Sequence, residues 1–166
     1  GMQDFMSPAP VSPVLGLPAV LDVARPSEPV TAASSADMLT CAADNERRGD
    51  ELISENNYKG AVQSYTDAIL CHGTDANLWG KRAGAQLVHA QSTGEPCQQQ
   101  VLKAYGDALV STEIEPQSPF ARHVLGKALL LLGHCEDAEA QFSLARELTF
   151  QAGGISGEEG VGALLL

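Results

Sequence analysis

The chain has 166 residues, 44% apolar and only 5% aromatic, with a formal net charge of -11 and a pI near 4.6. That length suits one folded domain with tails, and a composition rich in Ala, Leu and Gly but poor in rings suits closely packed helices better than a β-sandwich. The acidic balance argues against nucleic acid and anionic membranes, which need clustered Lys and Arg, and no run approaches the ~18 apolar residues of a membrane span. The N-terminus lacks a basic region ahead of an apolar one, so a cytoplasmic location is expected.

Gly1 ahead of Met2 reads as a remnant of tag cleavage. Residues 1–37 form a Pro/Ala/Ser-rich leader that holds six of the nine prolines. Proline at this density stops helices and favours extended backbone. Residues 14–21, from Val14 to Leu21, are too apolar for an ordinary linker and are expected to dock, in cis or on a second copy. Met38, Leu39, Ala42, Asn45, Gly49 and Leu52 then open a helical pattern that ends near Glu55 to Asn57. A second helix is predicted from Tyr58 to Cys71. Gly73 and Asp75 supply a stop and an N-cap before a third, Ala76 to about Gln91. A polar link through Pro96 reads as an insertion before the fourth helix, about Gln98 to Thr112. Ser118 and Pro119 open the fifth, Gly133 closes it, and the sixth runs from Cys135 to about Gln151. Residues 153–166 form a glycine-rich tail.

One octapeptide pattern recurs on the second, fourth and sixth helices: Ala61, Tyr65, Ala68; Val101, Tyr105, Ala108; Ala138, Phe142, Ala145. Offsets of 0, 4 and 7 share one helix face, so each copy sets a ring between two small residues. Gly49 and Gly126 each stand 12 residues ahead of a copy, inside the preceding helix. Two helices and a turn are therefore written three times. These residues resemble the tetratricopeptide repeat: Asn45, Arg48, Gly49, Leu52, Tyr58, Ala61, Tyr65 and Ala68 in one copy; Trp79, Arg82, Ala83, Val101, Tyr105, Ala108 and Pro116 in the next; Arg122, Leu125, Gly126, Ala138, Phe142 and Ala145 in the last. The octapeptides begin 40 and 37 residues apart, against a usual period of about 34. The resemblance implies an all-α, right-handed superhelix of three helical hairpins over residues 38–152, with repeats at about 42–75, 76–118 and 119–152.

It further implies a non-catalytic module that takes a peptide or protein segment in a concave groove lined by the first helix of each hairpin. By repeat position the groove candidates are Glu46, Asp50 and Ile53; Lys81, Gly84, Leu87 and Val88; and Phe120, His123, Val124 and Lys127. The groove is expected to be acidic at one end and apolar to basic at the other. Chaperone-binding relatives grip a C-terminal carboxylate with Lys, Asn and Arg. The matching positions are Glu46, Asp50, Lys81, Phe120 and Val124, none of which keeps the clamp residue. The leader, through residues 14–21, is the local candidate for the groove. A structural subunit of a homodimer or larger assembly is the alternative, and an enzyme the remote one: no nucleophile elbow, phosphate loop or His-Glu-xx-His motif occurs, and the four histidines lie in different elements. No cofactor or metal is expected. Cys41, Cys71, Cys97 and Cys135 are widely spaced without a Cys-xx-Cys pair, and are read as reduced thiols.

Overall fold

A computed structural model describes residues 34–93 and 98–153. The docking segment expected at residues 14–21, residues 94–97 of the predicted insertion and the tail from residue 154 lie outside the described residues. Six helices make up the described chain: α1 (Ser35–Ser54), α2 (Tyr58–Cys71), α3 (Ala76–Ser92), α4 (Gln98–Ile114), α5 (Pro119–Leu131) and α6 (Cys135–Gly153). Their starts follow from local chemistry. Ser34 caps α1 in a capping box with Asp37, Asn57 caps α2, Asp75 caps α3, and Ser118 precedes the proline that opens α5. Between α5 and α6 the chain reverses at Gly133, whose φ of 85° lies in the left-handed region that glycine adopts without strain.

The helices pair as α1 with α2, α3 with α4 and α5 with α6, and each hairpin stacks on the next through α2 with α3 and α4 with α5. α3 also packs directly on α5, so the first helices of the hairpins share one side of the stack. Inside the first and third hairpins the ring of the repeated pattern lies on the glycine of the preceding helix, a contact that the sequence reading did not foresee. A Cβ at Gly126 would fall 2.7 Å from Cε1 of Phe142, and one at Gly49 would overlap the ring of Tyr65. The flanking small residues Ala61, Ala68, Ala108 and Ala138 are almost wholly buried. The largest apolar cluster joins α3 to α6 through Leu87, Val101, Val124, Leu125 and Leu129. A second, around Ala42, Ile69, Leu78 and Trp79, seats α3 on the first hairpin.

Two features hold this stack by chemistry other than apolar burial. Arg82 on α3 makes a fork of two 2.7 Å hydrogen bonds to Asp107 on α4. Gln86 donates to the same carboxylate, and Arg82 also reaches Thr66 on α2 and covers the Trp79 ring. Burial pushes the Asp107 carboxyl above its ordinary pKa, while the bonds and charge of Arg82 and the bond from Gln86 pull it back. The second feature corrects the reading of the cysteines. Cys41 on α1 and Cys71 at the end of α2 form a disulfide, with Cα atoms 6.1 Å apart, whereas Cys135 is free. Spacing along the chain hid this pair, because the antiparallel hairpin brings an early turn of α1 to the last turn of α2.

Gly126→Ala gains intrinsic helix propensity but overpacks Phe142, and is expected to lower stability by about 1–2 kcal/mol. Gly84→Ala, whose Cβ would meet nothing within 4 Å, is expected to raise it by about 0.5–1 kcal/mol. Urea unfolding of the two variants checks the opposite signs. The side chains of Arg82 and Asp107 are only 13% and 4% exposed. Asp107→Ala therefore strands a buried guanidinium, with an expected loss of about 3–5 kcal/mol in the same assay.

Candidate functional site

The shared side of α1, α3 and α5 is where the sequence places its candidates, and the helices present them there as stripes. Glu46, Asp50 and Ile53 follow one another on α1; Asn77, Lys81, Gly84 and Val88 on α3; Phe120, His123 and Lys127 on α5. Contacts between the stripes confirm that they adjoin. Lys81 sits between two carboxylates, 2.8 Å from Glu46 and 2.7 Å from Asp50. Asn77 donates to Glu46, and the Tyr65 hydroxyl donates to Asp50 at 2.7 Å. The Phe120 ring lies against Gly80.

The α1 end of this face is consequently not the bare acidic surface that its sequence suggests. Burial works to lower the pKa of Lys81, but the hydrogen bonds and charges of Asp50 and Glu46 outweigh it and raise the value. One cation thus answers two anions. Burial, and then the hydrogen bond and charge of Asp50 and the charge of Glu46, push the Tyr65 hydroxyl far above its usual pKa and keep it a donor.

Two candidates are misplaced by sequence reasoning. Leu87 is 2% exposed and Val124 3%, and both belong to the main core cluster. The reason lies in the stack. Lys81 and Val124 occupy the same place in successive repeats, two residues before Ala83 and Gly126, and that place faces the preceding first helix. Where Lys81 meets Glu46 and Asp50, Val124 enters an apolar seam with Leu87. One seam between inner helices is ionic and the next is hydrocarbon.

The positions of Glu46 and Asp50 become Gly80 and Gly84 one repeat later. Gly80 is covered by Phe120, but Gly84 has no heavy atom within 4 Å of where a Cβ would stand. The middle of the face is therefore open at Gly84, where α3 presents backbone without a side chain. It is bordered on α3 by Val88, 40% exposed, while Phe120, 39% exposed, lies toward the start of α5. Lys127 is exposed on α5, and His123 is half-buried beside Phe142 with its Nε2 buried and unpartnered. Ile53 is half-buried against Ala61, Tyr65 and Ala85. Asn77 was missed by sequence reasoning, yet it lies six residues before Ala83 as Phe120 lies before Gly126, and repeat alignment alone would have found it. Among the described residues no cluster of His, Cys, Asp or Glu could hold a metal ion. No described helix is long and apolar enough to cross a membrane.

Three stacked helical hairpins, with ring-on-glycine contacts in the first and third, form the fold of the tetratricopeptide repeat, and solved domains of that kind share it. The chain is 23% identical to the second TPR of Spaghetti (RPAP3) bound to the HSP90 peptide SRMEEVD, over 69% of this chain and 97% of that one, with a TM-score of 0.60. It is 25% identical to the TPR domain of Arabidopsis OM64, over 69% and 87% of the two chains, at 0.60. It is 21% identical to the TPR2B domain of yeast Sti1 in its pHsp70 complex, over 75% and 93%, at 0.62. No protein-family model and no curated protein matches the sequence.

Burial and the nearby Lys127 charge hold the His123 pKa below its ordinary 6.5. The unfolded chain then takes up this proton first, so the contribution is intact above pH 6.5 and is lost as the pH falls below it. Urea unfolding at pH 7.5 and 5.5 should show a larger acid-side loss for the native chain than for His123→Gln.

Proposed function

We propose that this domain is a non-catalytic interaction module that receives an apolar peptide segment across the inner face, with a side chain inserted over Gly84. The observation that carries the reading is the opening at Gly84 on a face that also exposes Val88 and Phe120. The RPAP3 and Sti1 domains, similar in fold, are bound to HSP90 and Hsp70 peptides, which supports peptide binding as the use of such a face.

The acidic peptides of those relatives suit this face poorly. At the positions that match the chaperone clamp stand Glu46 and Asp50, with Lys81 already committed to both, and then Phe120 and Val124. A peptide such as SRMEEVD would bring further negative charge to two carboxylates without a free cation between them.

The occupant favoured here is the chain's own leader, through Val14 to Leu21, in cis or from a second copy. These eight residues carry no charge, which matches an apolar opening. Twelve residues lie between Leu21 and Ser34, a contour of about 45 Å over the steps that join them. α1 spans about 30 Å, so the link is long enough to run the length of α1, and tethering raises the segment's effective concentration. A structural role in an assembly is the second reading. It is favoured by Leu130, 51% exposed, and Phe150, 65% exposed, at the end of the stack. Leu130 occupies the place of Leu87 one repeat on, which α5 covers, and no described helix covers Leu130 in turn. Phe150 borders a shallow depression on α6 with Ala140, Leu144 and Arg146.

Fluorescence anisotropy with a labelled peptide of residues 13–22 tests the proposal on a chain that lacks residues 2–33. Binding that Gly84→Trp and Val88→Asp each weaken at least tenfold is expected, while SRMEEVD shows none at 100-fold higher concentration. Tight SRMEEVD binding that needs Lys81, or peptide binding indifferent to Gly84→Trp, would sink it. Light scattering of the full chain distinguishes cis docking from a dimer.

A further inference from the structure

We infer that Cys41 and Cys71 are a reversible redox site whose disulfide keeps the N-terminal turns of α1 seated on the repeat stack. The inference is independent of what the inner face binds.

α1 is held very differently along its length. Its C-terminal half is anchored many times over: Gly49 is pressed on Tyr65, Asp50 accepts from Tyr65 and Lys81, and Glu46 from Lys81 and Asn77. In the half from Ser35 to Asp44, Ala42 is the sole buried side chain and Leu39 is 52% exposed. The polar bonds described there are local ones, between Ser34 and Asp37, from Thr40 to the Ala36 carbonyl, and from Asn45 to the Cys41 carbonyl. What ties these turns to the stack is the buried Ala42, the half-buried Met38 and the bond from Cys41 to Cys71.

The repeats show that the place of Cys71 is a gripping position. It stands three residues after Ala68, as Ser111 does after Ala108 and Leu148 after Ala145. Ser111 donates a buried 2.7 Å hydrogen bond to the carbonyl of Ala76, at the start of α3. Leu148 is buried on α6. Each second helix thus grips with this residue: a hydrogen bond in the second repeat, apolar burial in the third, sulfur in the first. Of the three, only the sulfur grip can be made and released by electron transfer.

The chemistry is ordinary exchange. Two thiols close the bond by giving two electrons and two protons to a low-molecular-weight disulfide, which leaves as two thiols. In reverse, an external thiolate attacks one sulfur and releases the other as thiolate, and a second external thiol resolves the mixed disulfide. Reduction leaves only Ala42 and the half-buried Met38 to seat the first turns of α1, so they open as a local unit while the remaining helices stay folded. The leader, attached at Ser34, loses its fixed point with them.

The test uses the full chain with Cys97→Ser and Cys135→Ser, so that only this pair remains. After equilibration with glutathione disulfide, alkylation should add no adduct; after dithiothreitol, two. Hydrogen exchange over residues 36–45 should be at least tenfold faster in the reduced protein, with α5 and α6 unchanged. Adding Cys41→Ser should give the fast exchange in either buffer. Two alkylatable thiols that persist under oxidant, a disulfide-linked dimer in place of the internal bond, or equal exchange in both redox states would overturn the inference.

Discussion

In the first and third hairpins a ring of the second helix lies where the first helix carries no Cβ, Tyr65 on Gly49 and Phe142 on Gly126. The rest of the stack depends on that closeness. A ring pressed to helix backbone removes the gap that two layers of ordinary side chains would leave, and it lets flanking alanines such as Ala61 and Ala138 bury almost completely. In the middle hairpin Ala83 takes the glycine's place and Tyr105 packs on the same cluster. Hairpins closed this tightly present regular outer faces, and regular faces stack. Tyr65, Trp79 and Phe142 are spent on structure, and the inner face is left to charge, backbone and a few exposed apolar groups such as Val88 and Phe120.

That inner face is governed by which residue each first helix points back at its predecessor. Lys81 meets two carboxylates and closes an ionic seam, while Val124, one repeat later, joins Leu87 in a dry one. The change is forced by the glycines at positions 80 and 84, which offer no side chain for a cation to pair with. A lysine in the place of Val124 would be desolvated among hydrocarbon without a partner. One of these glycines, Gly84, also leaves the opening that the peptide reading rests on. Loss of charge pairing and gain of binding space are one substitution pattern seen from two sides.

Much of this architecture was legible in the sequence, because it is written in local rules. Ring and small residues at offsets 0, 4 and 7, a glycine 12 residues upstream, and Asn57, Asp75 and Ser118 at helix starts locate α2 to α6 to within a residue or two. α1 begins at Ser35, earlier than a domain boundary at residue 38, since Ser34 and Asp37 close a capping box around residues that look like leader by composition. The candidate face was only partly legible. Phe120 and Val88 are exposed and Gly84 is open, but position within a repeat does not say which neighbour a side chain meets, and Leu87 and Val124 turn into the core.

The sequence by itself determined the helices, the hairpins and their number, because propensity, capping and periodicity act over a few residues and need no knowledge of the rest of the chain. Only the tertiary structure decided the charge of the inner face, since Lys81 and its two acids are joined across 31 and 35 residues of chain. It alone decided the fate of the cysteines as well. Cys41 and Cys71 lie in different helices 30 residues apart, and whether they meet depends on how the hairpin folds back, a long-range distance that no local pattern encodes.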